Sequence, residues 1–154
     1  MTASVAKIEQ FLQEANYKYR QLNENYLLLL FQGQNVDTLP VYIRCSETFV
    51  VLYTPLMAPP HTNRRQLYER LLELSFSIYF AKCSLDPAGT PLLQIQWPTA
   101  DLDREEFFLA LNGLVTYADR HYRELQEIGR SRPDKPESLP DVPAVQGGDQ
   151  ELSE

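Results

Sequence analysis

This sequence predicts an α+β fold, an antiparallel sheet carrying three helices in the order α-β-β-β(β)-α-β-β-α, and three observations carry the prediction. Two strand-forming runs, Tyr26 to Phe31 and Leu39 to Tyr53, are apolar on both alternating faces. Three other stretches, residues 3–15, 63–81 and 103–128, repeat apolar side chains at helical spacing. Short turn-forming segments join the strand-like runs, as in a meander of hairpins. A strand that meets water on one side alternates apolar and polar residues, and these mostly do not. Either helices cover both faces of this sheet, or one face is kept for a partner.

The elements follow in order. Val5, Ile8, Phe11, Leu12 and Ala15 form one stripe of a first amphipathic helix, with Lys7, Glu9, Gln10, Gln13 and Glu14 opposite. Tyr17 to Leu22 alternates large and polar side chains, Asn23-Glu24-Asn25 makes a turn, and Tyr26 to Phe31 returns as the second strand of a hairpin. Residues 33–38 are a loop, Leu39 to Cys45 a strand, Ser46-Glu47 a tight turn, and Thr48 to Tyr53 a strand ended by prolines. Asn63 with Gln66 offers a cap for a second helix to about residue 81, whose inward stripe is Leu67, Leu71, Leu74 and Ile78. A second apolar row, Tyr68, Leu72, Phe76 and Tyr79, widens that helix well beyond the ~100° stripe that packing on one sheet requires. Lys82 to Leu85, the turn Asp86 to Thr90, and Leu92 to Trp97 read as a further hairpin. Asp103 with Glu106 caps a third helix carrying Phe107, Leu111, Leu114, Ala118, Tyr122 and Leu125.

At 154 residues, with 44% hydrophobic and 11% aromatic side chains, the chain suffices for one domain over residues 1–129. Residues 130–154 hold four prolines and no aromatic group, and cannot bury enough surface to offset chain entropy, so a disordered acidic tail is expected there. A net charge of -7 argues against a nucleic-acid partner, which needs clustered Lys and Arg. No charged start precedes an apolar run, and no segment approaches the ~20 apolar residues of a membrane span, which makes a cytoplasmic location the expectation.

Catalytic and metal constellations are weak. The two histidines, His61 and His121, stand apart, and His121 lies among Asp119, Arg120, Arg123 and Glu124 as a solvated helix face would. An enzyme using His121 with Glu124 or Asp119 is the least favoured reading. The carboxylates Asp101, Asp103, Glu105 and Glu106 fall where a helix begins and oppose its dipole rather than bind a metal. Cys45 and Cys83 lack ligand-spaced neighbours and read as buried thiols. No glycine-rich loop cradles a phosphate, and no cofactor is expected.

The long second helix running into Phe76-Ser-Ile-Tyr79, the Asp86-Pro-Ala-Gly89 turn leading into Leu92-Leu-Gln-Ile-Gln-Trp-Pro98, and the final helix Phe107 to Leu125 resemble the YbjN family of small bacterial proteins. More distantly, residues 3–128 resemble the type III secretion chaperone-like fold. The Gln- and Leu-rich text with an acidic tail is similar to cyanobacterial members. The resemblance implies a dimerising fold without cofactor or reaction, in which helix and sheet surfaces hold an extended segment of a client, as in assembly of a larger complex.

Taken with the surplus apolar surface, the expectation is a non-catalytic adaptor that binds another protein and assists its folding, assembly or regulation. Tyr68, Leu72, Phe76 and Tyr79 are the candidate homodimer interface. Phe11, Leu12, Tyr42, Val50 and Leu52 are the candidate partner-binding residues. The alternative is a small-molecule sensor or carrier with an apolar pocket on the sheet face.

Overall fold

A computed structural model describes residues 2–130, so that all but Arg130 of the expected tail lies outside the described residues. Helix α1 (Ala3–Glu14) leads to strands β1 (Arg20–Asn23), β2 (Tyr26–Phe31), β3 (Leu39–Cys45) and β4 (Phe49–Pro55). Helix α2 (Arg64–Ser77), strands β5 (Lys82–Leu85) and β6 (Pro91–Pro98), one 3-10 turn (Thr99–Asp101) and helix α3 (Arg104–Arg130) follow. The strands form one antiparallel sheet in the order β1-β2-β3-β4-β6-β5. The expected meander and second hairpin are both present. What the pattern of hairpins did not specify is that β6, not β5, pairs with β4.

Local chemistry sets the element ends. Helix α1 stops because Asn16 takes a left-handed backbone (φ 60°), with the Asn16 N–H donating to Gln13 O and the Tyr17 N–H to Leu12 O. That motif consumes Tyr17, so β1 begins at Arg20 rather than at Tyr17. The expected Asn63–Gln66 cap does not form. Asn63 is itself left-handed (φ 56°), and its Nδ2 donates instead to Ile128 O on α3 at 3.1 Å. Helix α2 also ends four residues early, at Ser77, because Ile78 turns to extended backbone and dives into the core. The cap on α3 does form, the Glu106 N–H donating to Asp103 Oδ2 at 3.0 Å.

All three helices close on the same face of the sheet. The core joins Val5, Ile8 and Leu12 of α1, Leu67, Leu71 and Leu74 of α2, and Phe107, Leu111 and Leu114 of α3 to Leu27, Leu29, Val41, Ile43, Val50, Leu52, Leu93 and Ile95 of the strands. Phe11 and Phe107 pack ring on ring, 5.9 Å between centroids, which locks α1 to α3.

A polar lock fixes α3 to the β2–β3 loop. The carboxylate of Asp119 accepts hydrogen bonds from the backbone N–H groups of Asn35 (2.8 Å), Gln34 (3.1 Å) and Val36 (3.1 Å). Partial burial disfavours its charge, but these N–H groups outweigh that and hold its pKa below the usual carboxylate value. The loop turns tightly enough to approach only because residue 33 is glycine: a β-carbon there would collide with Oδ1 of Asp119. In the sheet, burial pushes the Cys45 thiol up to about 11, against a smaller opposing effect of the Ser4 hydroxyl.

Two outcomes follow from this packing. Asp119→Ala is expected to cost about 1–2 kcal/mol of stability at pH 7, the lower part of the range for charge-assisted bonds because the loop is partly wet. Because the folded-state pKa is depressed, that contribution exists above the unfolded-state value and fades as pH falls through the folded one. The gap between wild type and variant in urea denaturation should therefore be constant above about pH 5 and begin to narrow as pH falls below about 4, closing only at still lower pH; a gap of the same size at about pH 7 and about pH 2 contradicts the lock. Cys45 is expected to react with Ellman's reagent at pH 8 only as fast as the protein unfolds, since its thiolate is scarce and shielded. Rapid modification of Cys45 in the folded protein, located by peptide mass spectrometry, would overturn that assignment.

Candidate functional site

With every helix on one side, the other face of the sheet has no layer over it among the described residues. Register identifies what it displays, because antiparallel partners point the same way. One row crosses all six strands: Arg20, Leu28, Tyr42, Tyr53, Gln94 and Lys82. Its centre is a stacked pair, Tyr42 on Tyr53, with centroids 5.1 Å apart and planes at 16°. The neighbouring row is Tyr26, Arg44, Val51 and Gln96. Together with Phe49, four of these side chains line a shallow hollow of about 320 Å³ on this face.

The electrostatics of this face are one-signed. Among the described residues no strand contains an aspartate or glutamate, and the three charged residues the strands do contain, Arg20, Arg44 and Lys82, all stand on the open face. A chain of net charge -7 thus carries a cationic sheet. Crowding among the aromatic rings is visible in Tyr53, whose pKa is raised chiefly by burial and then by the neighbouring Tyr26 and Tyr42 hydroxyls, with Arg44 working the other way.

A second uncovered surface runs along the outside of α2. Leu72 is 71% exposed, Phe76 95% and Tyr79 79%, while Tyr68 lies half-buried against the core. Phe80 extends this row, 84% exposed and held at φ 65°, a left-handed backbone that is costly for a bulky residue. The turn it makes, closed by the Ala81 N–H donating to Tyr79 O at 2.8 Å, reverses the chain from α2 into edge strand β5. An apolar row of this size left in water forgoes roughly 1.5–3 kcal/mol per side chain.

The residues expected to bind a partner divide unequally. Tyr42 stands on the open face. Leu12, Val50 and Leu52 are wholly buried, and Phe11 is 8% exposed, so these four belong to the core. Helix α1 lies on the covered side, and the alternation of β4 puts Phe49, Val51 and Tyr53 outward where Val50 and Leu52 point in. The missed residues had one signal. Arg44 shares a strand face with Tyr42 and cannot be buried unpaired, which marks that face, and the residues opposite on β4, as the open one.

His121 lies beside Glu124 (Nδ1 to Oε2, 3.5 Å), and Glu124 is paired with Arg70 of α2. Arg70 first, and burial against it, set the depressed pKa of Glu124. This group ties α2 to α3, and Asp119 is engaged with the β2–β3 loop. Among the described residues no cluster of three or more His, Cys, Asp or Glu side chains is placed to hold a metal. Nor is any described helix long and apolar enough to cross a membrane.

Comparison with solved structures places the fold among type III secretion chaperones. A chain of the ExsC–ExsE complex superposes with a TM-score of 0.60 at 19% identity, over 81% of this chain and 97% of that one. A chain of the heterodimeric ExoU–SpcU complex from the type III secretion system of Pseudomonas aeruginosa gives 0.55 at 18% identity, over 80% and 98%. A chain from the Yersinia pestis type III secretion chaperone SycH in complex with a stable fragment of YscM2 gives 0.55 at 22% identity, over 75% and 97%. No curated protein matches the sequence. Residues 4–127 match the model of the YbjN family, described as "Putative bacterial sensory transduction regulator", and the chain belongs to that family.

Proposed function

We propose that this protein is a non-catalytic, chaperone-like adaptor that pairs through the outer row of α2 and receives a segment of another protein on the open face of its sheet. The observation that carries this reading is the pair of uncovered apolar surfaces: the row from Leu72 to Phe80 and the field around Tyr42 and Tyr53. The α2 side chains stand in water and Tyr26, Leu28, Tyr42 and Tyr53 are half-buried, and contiguous apolar patches of this kind mark interaction sites. They are enriched in Tyr and Phe, as the centres of protein interfaces are. The two surfaces suit two tasks. The α2 row is apolar, exposed and continuous with edge strand β5, and a patch of this kind can meet its own copy in a twofold interface, which favours a second copy. The open face is broad and pleated, with cations at its margins and aromatic rings in its middle, which favours an extended acidic segment.

Support for the client-binding role also comes from the neighbours in fold, several of which are solved as complexes of a secretion chaperone with a second protein. Their low identity transfers the scaffold and not the partner. The reading takes residues 1–129 as the binding unit, acting in the cytoplasm, with assembly or regulation of the client as its outcome.

The two surfaces are separable by mutation. Leu72→Asp with Phe76→Asp is expected to leave the far-ultraviolet circular dichroism unchanged and to halve the mass measured by light scattering. Tyr42→Asp with Tyr53→Asp is expected to leave that mass unchanged and to abolish capture of the client by the tagged protein. A first variant that keeps the wild-type mass excludes the α2 seam. Retention of the same captured protein by the second variant excludes the open face.

A further inference from the structure

The open face and the end of the chain are complementary in a way that neither the fold nor the family requires. The strands display three cations and no carboxylate on this face. Residues 131–154, outside the described residues, contain two basic and six acidic side chains. Within them, Pro133-Asp-Lys-Pro136 and Pro140-Asp-Val-Pro143 are two repeats of the Pro-x-x-Pro spacing, and Leu139 and Val142 add the apolar side chains. Proline rings and aliphatic side chains are chemically suited to a surface of stacked aromatic rings, as in the recognition of Pro-x-x-Pro text by aromatic grooves.

The path is short. Helix α3 ends over the connection from β4 to α2: the Thr62 N–H donates to Gly129 O, and Gly129 lies against Met57 and Pro60. Helix α3 therefore ends on the covered side, beside the β4–α2 connection and close to the end of β4, one strand end away from the open face. Seven residues from Arg130 to Glu137 reach at most about 25 Å. Rounding the strand end takes about 10 Å, a layer spacing, and the way back along β4 from Pro55 to Tyr53 about 7 Å.

We propose that residues 137–145 of the same chain, Glu-Ser-Leu-Pro-Asp-Val-Pro-Ala-Val, dock on this face. The prolines meet the Tyr42–Tyr53 stack, Leu139 or Val142 meets the hollow beside Tyr26 and Val51, and Asp141 faces Arg44. Tethering supplies an effective concentration in the millimolar range, so an intrinsic affinity near 1 mM is enough to keep the face half covered. The tail is then an internal ligand that shields the aromatic field and yields to a client with a tighter segment. The contact itself does not require a client: its failure leaves client docking on the same face intact, and its success makes tail and client competitors.

The test uses full-length protein labelled for NMR. In a variant with Leu139→Ser, Pro140→Ser, Val142→Ser and Pro143→Ser, amide resonances of Tyr26, Tyr42, Arg44, Val51 and Tyr53 are expected to move, and those of α2 to stay. A synthetic peptide of residues 134–146 added to the variant should return them toward wild-type positions with a Kd below about 1 mM, weakening as salt is raised. Added to the wild type, whose own tail competes, it should bind about twofold more weakly or worse. Open-face resonances identical in wild type and variant overturn the proposal. If in that case Tyr42→Asp with Tyr53→Asp lowers the mass by light scattering, the occupant of the face is a second copy instead.

Discussion

Everything in this molecule depends on the one-sided covering of its sheet. Three helices bring their apolar stripes to the same face, and the residues buried there, from Leu27 and Leu29 through Ile43 and Leu52 to Leu93 and Ile95, form a continuous core. Strand residues of opposite parity face away from that core, yet they are not the Ser, Thr and Lys that usually meet water. Tyr26, Leu28, Tyr42, Val51 and Tyr53 take those places. The sheet thus has one face in the core and one face of half-buried aromatic and aliphatic side chains outside it.

Charge is distributed to match. The helices are nearly neutral, with nine acidic against eight basic residues, and some of their carboxylates are spent internally, Asp119 on the loop after β2 and Glu124 on Arg70; the negative sign of the chain comes from the loops and from residues 131–154. The sheet keeps only cations. Apolar area supplies affinity without choosing a partner, whereas a one-signed rim selects acidic segments and repels basic ones. The α2 row, strained and exposed at Phe80, lacks such a rim of one sign, since Arg65 pairs with Glu69 and Arg70 with Glu73 along the helix. That difference is the physical reason for assigning one surface to self-association and the other to acidic chains.

The element order, the three helices and the inward stripe Leu67, Leu71, Leu74 and Ile78 were legible in the sequence, because helical periodicity and turn chemistry are local signals. So was the surplus row on α2, where the excess over a single stripe is countable. The open face was not legible in the same way. When a strand is apolar at both parities, as β4 is with Val50, Val51 and Leu52 in succession, the pattern has no contrast with which to choose a side, and Val50 and Leu52 were expected outside. Only Arg44 broke the tie, through the pairing that sets it opposite Val51. The insertion of β6 beside β4, the left-handed Asn63 that points its amide at α3, and the lock between Asp119 and residues 34–36 are tertiary facts with sequence separations of 37 to 85 residues, for which no local pattern exists.

A crystal structure of the full-length protein is the most direct measurement of the central claim, that one sheet face is covered by helices and the other is a binding surface. The account predicts two copies related by a twofold axis through Leu72, Phe76 and Phe80, and density for an extended, acidic segment lying over Tyr42 and Tyr53. Helices on both faces of the sheet, or an open face bare of any chain with the α2 row also unpaired, would contradict it.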